Sequence, residues 1–354
     1  MIDNQVYTIG WIEQVSKKHL NADKILIEKV IRALSLLEEL KKSGLSFVFK
    51  GGTALMLMLG VPKRLSIDID IILPEIPENM ETIFDKIIMN SPFKRYSQQD
   101  RIVDSGIEKA HYKFYYEPAF KTYSDEDYIL LDILYEAVPY NQRNEIPIAS
   151  SFIKVIGEPE TVNVPSFEDI LADKLTAFAP NTTGIPYFKK GQSMSMEILK
   201  QLYDIGNLFN EINDISETKD VFNHFAKTEL NYRRLIDLNP NDVLDDIIET
   251  AHCISVRGTS GKCNFSELQS GIQKVKQFII SGKFQIDQAI VAASKAAYLA
   301  ALIKSGKTDL VKFTDFGDIN KLLISNEKFT KLNKLKKNNP EAFCYWHQAA
   351  MFLE

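Results

Sequence analysis

The sequence predicts an α+β protein: a mixed sheet with covering helices over residues 1–160, then an all-α helical bundle over residues 161–354. Three observations carry that prediction. Short apolar runs, bounded by glycine, proline or polar turns, recur between Phe47 and Leu134. Beyond Pro165 the apolar residues switch to helical spacing and keep it, with short breaks, to Leu353. A chain of 354 residues, 45% of them apolar, is also long enough for two cores.

Taken in order, Ile25, Ile27, Val30, Ile31, Leu34, Leu37 and Leu40 predict a helix from about Ala22 to Lys42, closed by Ser43 and Gly44. Phe47, Val48 and Phe49 read as a buried strand. Gly51-Gly52 then allows a tight turn and the close approach of a ligand. Thr53 is expected to cap a helix over Ala54 to Leu59, stopped by Gly60. A helix N-terminus behind a glycine turn is a ready phosphate site. The next strand carries Asp68 and Asp70 on one face, roughly 7 Å apart along the chain, with Ile67, Ile69 and Ile71 on the other. Such a pair can share divalent ions. Mg2+ favours a few carboxylates plus substrate phosphates, and two ions can clamp the attacking and leaving oxygens of a transfer. Asp-x-Asp alone also describes an ordinary exposed strand. The glycine turn upstream, with Arg64-Leu65-Ser66 just ahead, favours the chemical reading.

Pro74 to Pro77 ends that strand, and Met80 to Met89 reads as a covering helix. Tyr112 to Tyr116 and Tyr128 to Leu134 read as two further strands, separated by a polar loop from Tyr123 to Asp127. Asp132 interrupts a run that is otherwise apolar on both faces, which costs free energy unless the carboxylate has a partner. Ser166 and Asp169 open a helix whose apolar face is Phe167, Ile170, Leu171 and Phe178. Lys174 lies within that stripe, so its ammonium needs an anion or must reach out to water. Asn181 to Ser193 is a turn-rich loop with Lys189 and Lys190 beside Tyr187 and Phe188, either a substrate-contacting lid or a plain connection. Helices follow over residues 194–212, 221–238, 240–255, 265–279 and 285–305.

The string Gly51-Gly52-Thr53-Ala54-Leu55, followed by Arg64-Leu65-Ser66-Ile67-Asp68-Ile69-Asp70, resembles the signature of polymerase-beta-like nucleotidyltransferases. More narrowly it resembles the AbiEii/AbiGii toxins of bacterial toxin–antitoxin and phage-defence (abortive infection) systems. Residues 170–178 are similar to the lysine-bearing third motif of that group. Lys200-Gln201-Leu202-Tyr203-Asp204-Ile205 is similar to the fourth, with Gln201 where an acidic residue is usual. The resemblance covers roughly residues 25–210. It implies a polymerase-beta-like catalytic domain over residues 1–160 and a helical domain contributing Lys174 and Asp204 to the site. It implies a two-metal site for Mg2+, or Mn2+, at Asp68, Asp70 and Asp132, with Asp132 a ligand or the base for the attacking hydroxyl. The plain alternative for Asp132 is a hydrogen-bonded aspartate at a strand edge. An NTP would lie on Gly51, Gly52, Thr53, Arg64 and Ser66, with Lys174 neutralising the leaving pyrophosphate. Asp204 would be essential; its plain alternative is an (i, i+4) pair with Lys200. The implied acceptor is RNA, with the tRNA 3′ end first, the outcome growth arrest, and the partner a cognate antitoxin encoded nearby. An aminoglycoside-like small molecule or a protein hydroxyl as acceptor, or a catalytically idle nucleotide-binding module, stay open as alternatives.

A net charge of −5 announces no global basic field, so any RNA contact must be local. Lys328, Lys331, Lys334, Lys336 and Lys337 form one candidate patch, or a solvated face. Cys253, Cys263 and Cys344 lack paired-ligand spacing, which predicts reduced thiols in the cytoplasm, and His252-Cys253 with Cys263 is too sparse for zinc. No signal peptide and no apolar run near transmembrane length are expected, hence a cytoplasmic protein without membrane contact. Residues 257–262 imitate a phosphate-binding loop but fail: Val256 replaces its first glycine and Cys263 its metal-binding hydroxyl.

Overall fold

A computed structural model describes residues 1–99, 108–120, 124–140 and 142–353. Tyr123, the start of the expected polar loop, lies outside them. The chain forms two compact units: residues 1–166 with 277–282, and residues 167–276 with 283–354.

The first unit comprises α1 (Ile9–Lys18), α2 (Lys24–Lys42), β1 (Val48–Lys50), α3 (Gly51–Met58), β2 (Ile69–Leu73), α4 (Met80–Asn90), β3 (Phe93–Gln98), β4 (Glu108–Tyr116), β5 (Asp127–Tyr135), β6 (Arg143–Pro147) and β7 (Thr161–Pro165). Its sheet has seven strands in the order β3-β4-β5-β2-β1-β7-β6. β2 pairs parallel with β5 and β1 parallel with β7, while the other neighbours run antiparallel, so the sheet is mixed. One face is closed. Phe84 of α4 packs edge-on against Tyr96, Tyr112 and Phe114, and Arg32 of α2 lies over Tyr116. Ile69, Ile71, Ile129, Leu131 and Ile133 are buried. Asp70, His111, Lys113, Leu130 and Asp132 are only half-buried. Along β5 this alternation is the period-2 consequence of a half-covered sheet, whereas on β1 and β2 the next residues on the face of Lys50 and Asp70, Val48 and Ile72, are buried.

Two local expectations are corrected here. Helix α3 begins at Gly51, not Ala54, with Lys50 as its N-cap, so Thr53 is not the cap. Its hydroxyl instead donates to the carbonyl of Asp68 at 2.6 Å. The expected helix to Ile279 stops at Val275 and passes through one 3-10 turn, Lys276–Phe278. Residues 277–282 then join the first unit: Leu65 N donates to Phe278 O at 2.8 Å and Ile280 N to Lys63 O at 3.1 Å.

The second unit comprises α5 (Phe167–Ala177), a small hairpin of β8 (Phe188–Lys189) and β9 (Gln192–Ser193), α6 (Ser195–Glu211), α7 (Ser216–Tyr232), α8 (Pro240–Ser255), α9 (Phe265–Val275), α10 (Ile286–Ser305), α11 (Leu335–Asn338) and α12 (Pro340–Phe352). The hairpin occupies the expected Lys189–Lys190 loop. At the core lies α10, whose residues from Ala292 to Ile303 are all buried, Lys295 among them. It corrects one expectation from the sequence, because an 18-residue window within its 20 residues, with a mean hydropathy of 1.4, does reach membrane-spanning length and apolarity. Yet 78% of that window is buried inside the protein, as in a core helix. The cysteine expectation is corrected too. Cys253 and Cys263 are joined in a disulfide, and only Cys344, buried, is free.

Candidate active site

The first unit gathers most of the residues singled out in the sequence. Across four neighbouring strands one row reads Lys50, Asp70, Asp132, His111, each in register with the next. All four therefore stand on the half-exposed face of the sheet. Asp68 directly precedes β2 and is exposed. The parallel β2–β5 pairing is what sets Asp70 opposite Asp132, although 62 positions separate them (132 less 70).

The glycine turn is built against this row. Gly51 has φ +81°, and a Cβ placed on it would lie 2.1 Å from Asp70 Oδ2. No side chain larger than hydrogen fits between that backbone and the carboxylate. A Cβ on Gly52 would lie 2.5 Å from Ser66 Oγ and 2.7 Å from Arg64 Nη2. Arg64 is buried, its Nη1 donates to Leu65 O at 3.0 Å, and its backbone bridges to Ile279. Residues 277–282 thus brace the loop that carries Arg64 and Ser66. The start of α3 has no side-chain cap, which suits an N-terminus built for an anion.

His111 was not among the sequence candidates. Its Nδ1 meets Asp132 Oδ1 at 2.6 Å, a hydrogen bond between the ring and the carboxylate. The partner that Asp132 requires is therefore a half-buried histidine 21 positions earlier. Only its place one strand over would have revealed it, because a lone histidine in an aromatic strand carries no spacing signal.

The donor set of Asp68, Asp70 and Asp132 consists of hard carboxylate oxygens, the chemistry that suits Mg2+ or Mn2+. Among the described residues no three His, Cys, Asp or Glu side chains converge tightly enough to hold a metal by themselves.

In the second unit Lys174 and Asp204 find each other. Lys174 Nζ lies 3.0 Å from Asp204 Oδ2 and donates to Gln201 Oε1 at 3.0 Å, with both charged side chains under a tenth exposed. The anion that an inward lysine needs is thus supplied by Asp204, while Lys200 bonds Glu197 at 3.1 Å. In the lysine patch, Lys328 pairs with Glu249, and Lys331 and Lys336 reach the carbonyls of Thr259 and Leu322. Three of its five ammonium groups therefore pack the segment.

A mixed sheet that presents carboxylates on one face, beside a helix opened by a glycine turn, defines a nucleotidyltransferase fold followed by a helical region. The family model described as "Nucleotidyl transferase AbiEii toxin, Type IV TA system" matches residues 35–254. The match spans more than half of the sequence, and the chain belongs to this toxin nucleotidyltransferase family. No curated protein matches the sequence. Among solved structures it is similar to the nucleotidyltransferase toxin MenT4 of Mycobacterium tuberculosis H37Rv, at 12% identity and TM-score 0.43, over 94% of this chain and 98% of that one. It is also similar to JHP933 of Helicobacter pylori, at 18% identity and TM-score 0.40, over 82% and 94% of the two chains. A third similar structure is an antigenic nucleotidyltransferase-like protein of Paracoccidioides brasiliensis, at 13% identity and TM-score 0.36, over 64% and 93%.

Proposed function

We propose that the protein is a Mg2+-dependent toxin that moves a nucleoside monophosphate from an NTP to an RNA hydroxyl, the tRNA 3′ end, and so arrests growth until a cognate antitoxin intervenes. The observation that carries this reading is the register of Asp70 with Asp132, with Gly51 backed against Asp70. Asp68, Asp70 and Asp132 would hold the divalent ions, whose charge offsets that of the triphosphate and of the leaving pyrophosphate. The free N–H groups at the start of α3 bind phosphate oxygens, helped by the positive end of the helix dipole. Arg64 and Ser66, packed on Gly52, orient those phosphates from the side. Asp132 takes the proton of the attacking hydroxyl, and His111 holds its carboxylate in place. Catalysis of this kind is positioning plus charge stabilisation. Turnover also needs Lys174 and Asp204, as the family resemblance implies.

The test incubates the protein with Mg2+, each labelled NTP in turn and total bacterial tRNA, beside an Asp68→Ala, Asp70→Ala double variant. Label entering RNA with the unmodified protein alone establishes the reaction, the nucleotide and the acceptor together. No label with any NTP removes tRNA as acceptor and turns the search to small-molecule or protein hydroxyls. Equal label from the double variant removes the metal assignment.

A further inference from the structure

The half-exposed face that carries Asp132 continues along β3, β4 and β5, and its composition changes in a regular way. One row on from His111 and Asp132 stand Ser97, Lys113 and Leu130. One row further stand Arg95, Tyr115 and Tyr128. Tyr128 is four residues from Asp132, a distance of about 13 Å along the strand. The Tyr115 and Tyr128 rings are 5.8 Å apart and tilted by 57°. Arg95 Cζ sits 3.5 Å above the Tyr115 ring, and Glu126 Oε2 fixes the guanidinium at 2.7 Å. Lys113 Nζ lies 4.1 Å over Tyr128 and has no carboxylate within ion-pair distance among the described residues. Tyr128 is 38% exposed.

From this juxtaposition we infer that the face of β3, β4 and β5 is a stacking platform for single-stranded nucleic acid, laid so that its 3′ end reaches Asp70 and Asp132. The assignment of that end rests on the function proposed above. Flat groups suit any unpaired base, because every base has a π-face, and an Arg guanidinium stacks as an aromatic ring does. Lys113, held over a ring and not by a carboxylate, is available to a phosphate. A duplex keeps its bases stacked on one another and offers the rings nothing. Protein interfaces also use Tyr and Arg but are depleted in Lys at their core, so Lys113 in the first of these rows favours a phosphate backbone.

The experiment measures fluorescence anisotropy of a labelled, unstructured RNA of about 12 nucleotides, a length within the usual range for such sites. The full chain is used, without NTP. A Tyr115→Ala, Tyr128→Ala pair is expected to weaken binding at least about tenfold. A Tyr115→Phe, Tyr128→Phe pair keeps the stacking faces and is expected to bind as the unmodified protein does, which separates stacking from misfolding. Lys113→Ala is expected to weaken binding and flatten its salt dependence. The platform is overturned if the unmodified protein binds no RNA, if the alanine pair binds as tightly, or if a duplex of the same sequence competes equally. The two proposals also fail separately. RNA held through the rings with no nucleotide transferred refutes the reaction and leaves the platform. Transfer that is undiminished in the alanine pair refutes the platform and leaves the reaction.

Discussion

Gly51 and Gly44 share a left-handed backbone, with φ +81° and +87°, but differ in what surrounds them. A Cβ on Gly44 meets nothing within 4 Å, whereas one on Gly51 would collide with Asp70 Oδ2. Alanine at either position strains the backbone by a similar amount, about 1 kcal/mol. Only Gly51→Ala is expected to displace the carboxylate, and a shift of that kind lowers transfer about a hundredfold. Equal activities of the two variants in the labelled-NTP assay would remove Gly51 from the site. The Lys174–Asp204 pair poses a different question, because it is buried and its removal acts on the fold as well as on turnover. Lys174→Met strands a buried carboxylate and is expected to cost about 3–5 kcal/mol in urea unfolding. The Lys174→Met, Asp204→Leu double variant is expected to recover most of that loss and still to lack activity. A stable, active double variant would make the pair purely structural. The residues of the glycine turn and the Asp-x-Asp strand were legible in the sequence because their spacing is local. His111 was not, because its meaning comes from a partner on another strand.

At the scale of elements, most long helices matched their apolar periodicity closely: α8 begins at Pro240 and ends at Ser255 as expected, whereas the helix expected over 221–238 is α7, Ser216–Tyr232, shifted toward the N-terminus. Strands β3 and β6 were missed for a common reason. Both are edge strands, largely solvent-facing and polar, so neither shows the alternation that marks a half-buried strand. The loop after α8 is closed by the Cys253–Cys263 disulfide, with Gly258 and Gly261 at φ +76° and +92°. A bridge across so short a loop is expected to stabilise the unit by about 2–3 kcal/mol. Alkylation of the protein unfolded without reductant should label one thiol, Cys344, and three after reduction. Three labelled thiols without reductant would show that no bridge forms.

On the scale of the whole molecule, pH dependence has an identifiable origin in the helical unit. His252 is buried between Phe329 and Trp346, and neither ring nitrogen has a hydrogen-bond partner among the described residues. Burial pushes its pKa below the ordinary 6.5; Glu249 opposes the shift, and Lys328 and Lys331 add to it. A histidine kept neutral in the fold favours the folded state above the unfolded-state pKa. That stability is lost as pH falls through 6.5 toward the lowered folded value. Thermal unfolding followed from about pH 8 to about pH 5 should show this decline, and His252→Phe should flatten it. An unchanged profile in that variant would assign the decline to other groups. The sequence by itself determined the family and the order of sheet and bundle, and it brought the short-range parts of the candidate site into view, because glycine turns, Asp-x-Asp alternation and helical periods are all encoded within a few residues. Only the tertiary structure decided that Asp132 stands opposite Asp70 and beside His111, that Lys174 is neutralised by Asp204, and that Tyr115 and Tyr128 share the carboxylate face. Each of those depends on strand register or helix packing, which sets residues tens of positions apart side by side, and no local spacing records it.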